Sequence, residues 1–394
     1  MRALFPVLSV LTACAVTPAP PLTSLPGPAQ SIFVDLVGRG DDGAPLRLHA
    51  LADGPEDGDV VILLHGFPDF AWSWREVLPP LATDHRVYAL DLRGYGLSAA
   101  PERGYDLFTV AADVEAFVDA VAPGRAVHLV GHDWGAAVGW ITAAASPGRW
   151  RTFTAMDMPH GKAWMEVYNR SADQQRRSSY IGRLIGPDGR AWLGDLPVDA
   201  RAAVYRVNLM RPAGFTDADA EHYHRAFGSR ERMRAPIAYF EELVRKRGSM
   251  ARSMTSAPPV GVPTLVLWGE LDKYLRPEMA ALSCEHVAAA CEAEVWADLG
   301  HWLHWDAPDR VVARWRAFVA TVQPGGPLAA RAPCAGPLAP PLPVLHPPVL
   351  HRVQREHRAA EVGAQPHVEV RHARCLDVHR HAVVGEEVGA EREE

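Results

Sequence analysis

Two periodicities divide the middle of the chain. Residues 59–64 are almost continuously apolar, and residues 86–90 and 126–130 repeat the type, as strands buried on both faces do. Between and after them, apolar positions recur at helical spacing over residues 71–82, 107–121 and 134–146. Strands alternating with helices imply a mostly parallel sheet covered on both sides. Ahead of these, residues 31–37 and 44–52 alternate apolar with polar around Gly38-Arg39-Gly40-Asp41-Asp42-Gly43, which predicts a hairpin.

The alternation breaks between residues 157 and 259. That stretch is rich in arginine and aromatics, carries helical patterns over 197–209 and 236–245, and has no convincing buried strand. A strand at 262–268, a helix over 277–289, a strand at 293–297 and a helix over 307–322 then resume the order. The pattern predicts one α/β core, residues 31–156 and 260–323, interrupted by a helical lid over 157–259. Open sheets bind ligands beyond the carboxyl ends of their strands, where such a lid would close.

Both ends differ from this middle. Residues 1–13 carry Arg2, an apolar stretch over 4–11 and the sequence Leu11-Thr12-Ala13-Cys14. That run is too short to span a bilayer and reads as a secretory signal. Its last four residues resemble a bacterial lipobox, with Cys14 as the lipidated residue. The expected location is therefore the cell envelope, exported and lipid-anchored, with the cytoplasm as the alternative. Residues 18–28 are Pro-rich and suit a tether, so residues 1–30 are read as signal and linker. From residue 326 to 394 there is no Phe, Trp, Tyr, Ile, Met, Lys, Ser, Thr or Asn. Without aromatics or a usable period, residues 324–394 are expected to be disordered, and their seven histidines show no recurring ligand spacing.

Composition narrows the function. The 394 residues are 48% hydrophobic and 22% charged, as in soluble globular proteins. A net charge of −7 disfavours nucleic acid as a partner, because no basic surplus is present to neutralise phosphates. The five cysteines form no CxxC pair and no metal-ligand spacing, so a structural zinc site is not expected. Cys284 and Cys291 can bridge in an exported protein, or remain two half-buried thiols.

The chemistry centres on Gly131-His132-Asp133-Trp134-Gly135. An apolar strand precedes it and a small-residue helix follows, the context of a nucleophile elbow. Serine usually occupies the centre of that turn; here it is Asp133. Asp272 follows the strand at 262–268, and His301 follows the strand at 293–297. Nucleophile, acid and histidine thus occur in the order required, each in a loop after a strand.

The choice of carboxylate narrows the substrate. A serine attacking a saturated carbon leaves an ether, which activated water cannot cleave. Aspartate leaves an ester whose carbonyl belongs to the enzyme, and water deprotonated by His301, with Asp272 behind it, can attack that carbonyl. The backbone N–H groups of Phe67 and Trp134 are the expected oxyanion donors. No G-x-S-x-G occurs, which disfavours a serine esterase. Epoxides and alkyl halides remain.

His65-Gly66-Phe67-Pro68-Asp69-Phe70-Ala71-Trp72-Ser73-Trp74-Arg75, Asp91-Leu92-Arg93-Gly94-Tyr95-Gly96-Leu97-Ser98 and the elbow together resemble an epoxide hydrolase of the α/β-hydrolase fold family. The likeness spans about residues 31–322. It implies a cis peptide before Pro68, a small apolar epoxide as substrate, a vicinal diol as product, no cofactor, and two lid tyrosines that protonate the epoxide oxygen. Tyr239 matches the second of these, although Phe240 replaces the arginine usual after it. Tyr180 is the candidate for the first, with Tyr168 and Tyr205 as rivals. A haloalkane or haloacid dehalogenase is the alternative, since Trp134 can donate to a halide. Residue 69 is not the Thr usual in the haloalkane branch, and fluoroacetate dehalogenases usually carry Arg at the position of Trp134. A non-catalytic binding protein on the same fold is a further reading, against which stands the complete set Asp133, Asp272 and His301.

Overall fold

One sheet runs through the protein in the order β1-β2-β3-β5-β4-β6-β7-β8-β9. Its strands are β1 (Val16–Pro18), β2 (Gln30–Leu36), β3 (Leu46–Asp53), β4 (Asp59–Leu64), β5 (His85–Leu90), β6 (Val127–His132), β7 (Trp150–Met156), β8 (Thr264–Gly269) and β9 (Cys291–Trp296). The computed structural model describes residues 16–18, 28–189, 195–211, 214–245 and 258–322. Cys14 and residues 324–394 lie outside them.

The first four strands in this order pair antiparallel, and every pair from β5 onward is parallel. β2 and β3 form the expected hairpin, with Leu36 opposite Leu46. Residues 16–18, expected within the signal and tether, instead add an edge strand beside β2.

β4 explains the unbroken apolar runs. Its Val60, Ile62 and Leu64 belong to one core cluster, and Val61 and Leu63 belong to the other. Successive side chains of a strand point to opposite faces, so a strand covered on both sides must be apolar throughout. Helices Leu107–Val121 and Trp134–Ala145 supply Val110, Val114, Phe117 and Val138 to the first cluster. Helix Pro308–Val322 supplies Val311, Trp315, Phe318 and Val319 to the second.

Three departures from the expected elements have local causes. β7 was not expected, because Thr152 and Thr154 dilute its apolar character; both are buried, and Thr152 Oγ1 is hydrogen-bonded to His128 Nδ1 at 2.8 Å. The helix expected over 71–82 is a 3₁₀ turn, Ala71–Trp74, and a separate short helix, Leu78–Leu81. Pro79 and Pro80 fall where an unbroken helix would need their N–H groups. The helix expected over 277–289 is shorter, Glu278–Cys284, and the chain returns to β9 through a Cys284–Cys291 disulfide.

Between β7 and β8 the described residues contain helices and no strand: Gly161–Arg170, Ala172–Arg177, Tyr180–Leu184, Val198–Arg206, Asp217–Phe227 and Arg230–Arg245. Asp217–Phe227 was not anticipated, although Thr216 and Asp219 form a reciprocal capping box at its start. Among the described residues, no helix is long and apolar enough to cross a membrane.

Candidate active site

β6 leads directly into Asp133, whose φ of 48° and ψ of −119° turn the chain into helix Trp134–Ala145. Few L residues hold a positive φ, and here the neighbouring glycines make room for it. A Cβ on Gly135 would stand 2.3 Å from Leu64 O, and one on Gly66 would stand 2.3 Å from Asp133 Cβ. The elbow is therefore packed against β4 and against the loop that follows it. That loop contains a cis Phe67–Pro68 bond, as the resemblance implied.

Asp133 Oδ1 accepts a 2.7 Å hydrogen bond from Phe67 N. The N–H of Trp134 stands at the first turn of its helix, where no intrahelical acceptor exists. Asp133 Oδ2 lies 3.7 Å from His301 Nε2. On the far side of the ring, His301 Nδ1 donates to Asp272 Oδ2 at 2.8 Å. Asp272 Oδ1 in turn accepts from the N–H groups of Tyr274 and Leu275, at 2.6 and 3.0 Å. The three residues, scattered over 169 positions of sequence, meet at one end of the sheet.

The electrostatics follow from these contacts. Burial pushes the Asp133 carboxyl up, but the bond and charge of His301 and the Phe67 N–H outweigh it and hold it below the ordinary value. Burial pulls the His301 imidazole down; Asp272 and Asp133 outweigh this and hold it well above the ordinary value. These contacts favour an imidazolium facing the Asp133 carboxylate.

The structure treats the two expected tyrosines differently. Tyr180 opens helix Tyr180–Leu184 and is half-buried, its ring 5.4 Å from that of Tyr274 and 6.1 Å from that of Phe240. Among the described residues its hydroxyl meets no partner. Burial raises its pKa well above the usual phenol value, and the Asp133 charge adds to this, so the phenol is in reach of the nucleophile's field.

Tyr239 is anchored through its hydroxyl. Its hydroxyl donates to Arg93 O at 2.8 Å, and its ring packs on Tyr95 and Tyr105. Successive helical residues are about 100° apart around the axis. The side chain presented to the oxyanion loop is accordingly Phe240, with its ring 5.0 Å from Phe67 and 4.9 Å from Trp134. The Tyr239 ring itself lies 6.0 Å from that of Trp134. Of the rivals, Tyr168 stacks on Trp164, and Tyr205 donates to Pro68 O at 3.4 Å.

Sequence reasoning also missed a buried polar network behind the elbow. Asp69 accepts from the Tyr223 hydroxyl at 2.6 Å and from Trp302 Nε1 at 3.2 Å. Burial pushes its carboxyl up to about 7, against the pull of Tyr223. His132 Nε2 donates to His301 O at 2.7 Å, fixing the loop that carries His301. Asp69, His132 and His304 offer metal-type ligand atoms within 4.8 Å of one another, as do His132, Asp157 and His301. Asp69 and His301 are already engaged in hydrogen bonds.

A family model for the alpha/beta hydrolase fold matches residues 59–308. Epoxide hydrolase 4 of Mus musculus is 30% identical over 288 residues, covering 70% of this chain and 76% of that protein. Epoxide hydrolase 2 of Caenorhabditis elegans is 29% identical over 280 residues, covering 70% and 77%. Among solved structures, the Bacillus megaterium epoxide hydrolase in complex with an inhibitor superposes with a TM-score of 0.61 at 24% identity, covering 70% of this chain and 97% of that one. At that identity the likeness is one of fold. The chain belongs to the α/β-hydrolase family and, within it, is an epoxide hydrolase-like enzyme.

Proposed function

We propose that this enzyme opens an epoxide to a vicinal diol through an ester on Asp133. The observation that carries the reading is the carboxylate itself: Oδ1 already rests on the Phe67 N–H while Oδ2 lies 3.7 Å from His301 Nε2. Oδ2 attacks an epoxide carbon, the ring C–O bond breaks, and the Tyr180 hydroxyl protonates the departing oxygen. Alkylation neutralises Asp133 and removes one of the anions that hold His301 protonated, and the imidazolium gives its Nε2 proton through solvent to the Tyr180 phenolate. The imidazole then accepts a proton from water as the water oxygen adds to Asp133 Cγ. The oxyanion develops on Oδ1, on the Phe67 and Trp134 N–H groups. Collapse releases the diol, protonated by His301, and the proton left on Asp133 passes to His301, restoring the imidazolium and the Asp133 carboxylate.

One observation favours a second reading, hydrolysis of a haloalkane or haloacid by the same nucleophile. Trp134 Nε1 is buried and has no hydrogen-bond partner among the described residues, as suits a donor to a departing halide. With Tyr239 committed elsewhere, a single phenol serves the epoxide. A His301→Gln variant incubated with an epoxide and with a haloalkane separates the two readings by which substrate leaves an adduct on Asp133.

Export is also proposed. The Cys284–Cys291 bridge supports it, since disulfides persist in oxidising compartments. Cell fractionation tests it: the full chain should be found in the envelope fraction, and a wholly cytoplasmic protein with free thiols would refute it.

A further inference from the structure

Gln174 is a polar side chain that no step above uses, yet it is fully buried. It lies in the short lid helix Ala172–Arg177, six residues before Tyr180. Its amide joins two distant parts of the chain. Nε2 donates to Tyr274 O at 2.9 Å, and Oε1 accepts from Arg276 N at 3.0 Å. Nε2 also donates to Ser178 Oγ at 3.0 Å. An N–H on one side and acceptors on the other fix which end of the amide is oxygen.

Tyr274 and Arg276 belong to the loop that carries Asp272. Asp272 Oδ1 accepts from the N–H groups of Tyr274 and Leu275, while Oδ2 holds His301 Nδ1. The seat of the acid is therefore backbone whose next polar groups, the Tyr274 carbonyl and the Arg276 N–H, are held by Gln174. A further contact from the same helix falls on the acid residue itself, where Arg177 Nη1 donates to Asp272 O. Toward Tyr180, Ser178 N donates to Gln174 O at 3.0 Å, and Ser178 O accepts from Ile181 N at 3.2 Å, in the first turn of the helix that Tyr180 opens. The two parts meet again at Tyr274, whose ring lies 5.4 Å from that of Tyr180 and 5.1 Å from that of His301.

We propose that Gln174 is a positioning residue for both steps of the reaction, tying the proton donor of the lid and the acid loop into one unit. Buried peptide groups need partners. Without the Gln174 amide, the Tyr274 carbonyl and the Arg276 N–H relax toward other partners and draw Asp272 away from His301. Ser178 loses its tie at the same time, and Tyr180 drifts from Asp133. The proposal rests on the ester mechanism and on the role given to Tyr180 above.

The test replaces Gln174 by Met, which keeps its length without its hydrogen bonds. Ester formation from an epoxide is followed in a His301→Gln background, and ester hydrolysis by rapid-quench mass spectrometry with His301 in place. The titration midpoint of His301 is read by NMR in histidine-labelled full-length protein without substrate. Gln174→Met should slow formation and hydrolysis about tenfold each, as small misplacements of reacting groups do. It should also lower the midpoint by about half a unit, roughly threefold in the protonation constant. Gln175→Ala, at the exposed neighbour, should change none of these. An amide that only holds structure would lower the melting temperature and leave both rates and the midpoint as in wild type; that result overturns the proposal, as does slowing of one step alone. Gln174→Asn keeps the amide but is one methylene short of its partners, and it gives the same comparison where the Met variant folds poorly. If no epoxide alkylates Asp133 in the wild-type protein, the ester mechanism fails and the midpoint decides alone: a lowered value supports the role of Gln174, and a wild-type value overturns it.

Discussion

Replacing each tyrosine by phenylalanine, one at a time, separates a phenol that does chemistry from one that holds structure. Among the described residues the Tyr180 hydroxyl has no partner, so Tyr180→Phe removes the proposed proton donor and leaves packing almost unchanged. Losing one donor to a developing oxyanion costs about 10²–10³ in rate, or roughly 3–4 kcal/mol. Tyr239→Phe instead breaks a buried 2.8 Å bond to Arg93 O and leaves that carbonyl without its partner. The cost is about 1–3 kcal/mol of stability, or a melting temperature lower by roughly 2–4 °C for each kcal/mol. The assay is single-turnover formation of the covalent adduct from an epoxide, in a His301→Gln background where the ester accumulates, beside a thermal melt of each variant. Tyr180→Phe should slow adduct formation about a hundredfold with an unchanged melt. Tyr239→Phe should leave the rate within about threefold and lower the melt. The reasoning is refuted if Tyr239→Phe slows ester formation as much as Tyr180→Phe does while melting like the wild type.

Other expectations follow from the same contacts. Phe240→Tyr puts a phenol beside Phe67 and Trp134, where a second donor belongs. Ester formation from epoxides should rise on the order of tenfold with no matching gain on haloalkanes; an unchanged or lower epoxide rate contradicts this placement. Asp69 bears on stability, since its folded pKa, pushed up to about 7 by burial, exceeds its unfolded value of 3.8. Its contribution is full below about pH 4 and is lost as pH rises toward 7, a cost of up to about 4 kcal/mol for the roughly three units between. Asp69→Asn cannot ionise, so its melting temperature relative to wild type should be higher at pH 8 than at pH 4; a constant difference contradicts the assignment. Reduction of Cys284–Cys291, which are seven residues apart, should destabilise the protein by about 2 kcal/mol. Identical melts with and without reductant would mean that the bridge is not formed.

The sequence carried the sheet and the elbow because their constraints are local. A strand buried on both faces has to be apolar, as at Ile62 and Leu63, and a carboxylate at the centre of a Gly-flanked strand-to-helix turn has few alternative readings. β7 escaped because its polarity is paired internally, Thr152 with His128, and such pairing cannot be read from one strand alone. The engagement of the Tyr239 hydroxyl by Arg93 O was hidden for a different reason. Motif matching places a residue along the chain, but only helical phase against the core decides which of two adjacent aromatics faces the pocket. Asp157 was overlooked because it was taken as the border of the insertion. Its place beside Asp272 and His301, 115 and 144 residues away, comes only from the fold.

The central claim is that Asp133 forms an ester with the substrate. Intact and peptide mass spectrometry of His301→Gln after incubation with an epoxide tests it most directly. The peptide containing Asp133 should gain the whole mass of the epoxide, and a haloalkane should instead add its mass less that of the hydrogen halide. Addition of label to any other residue, or an unmodified Asp133 in a protein whose wild-type form turns over the same substrate, would contradict it.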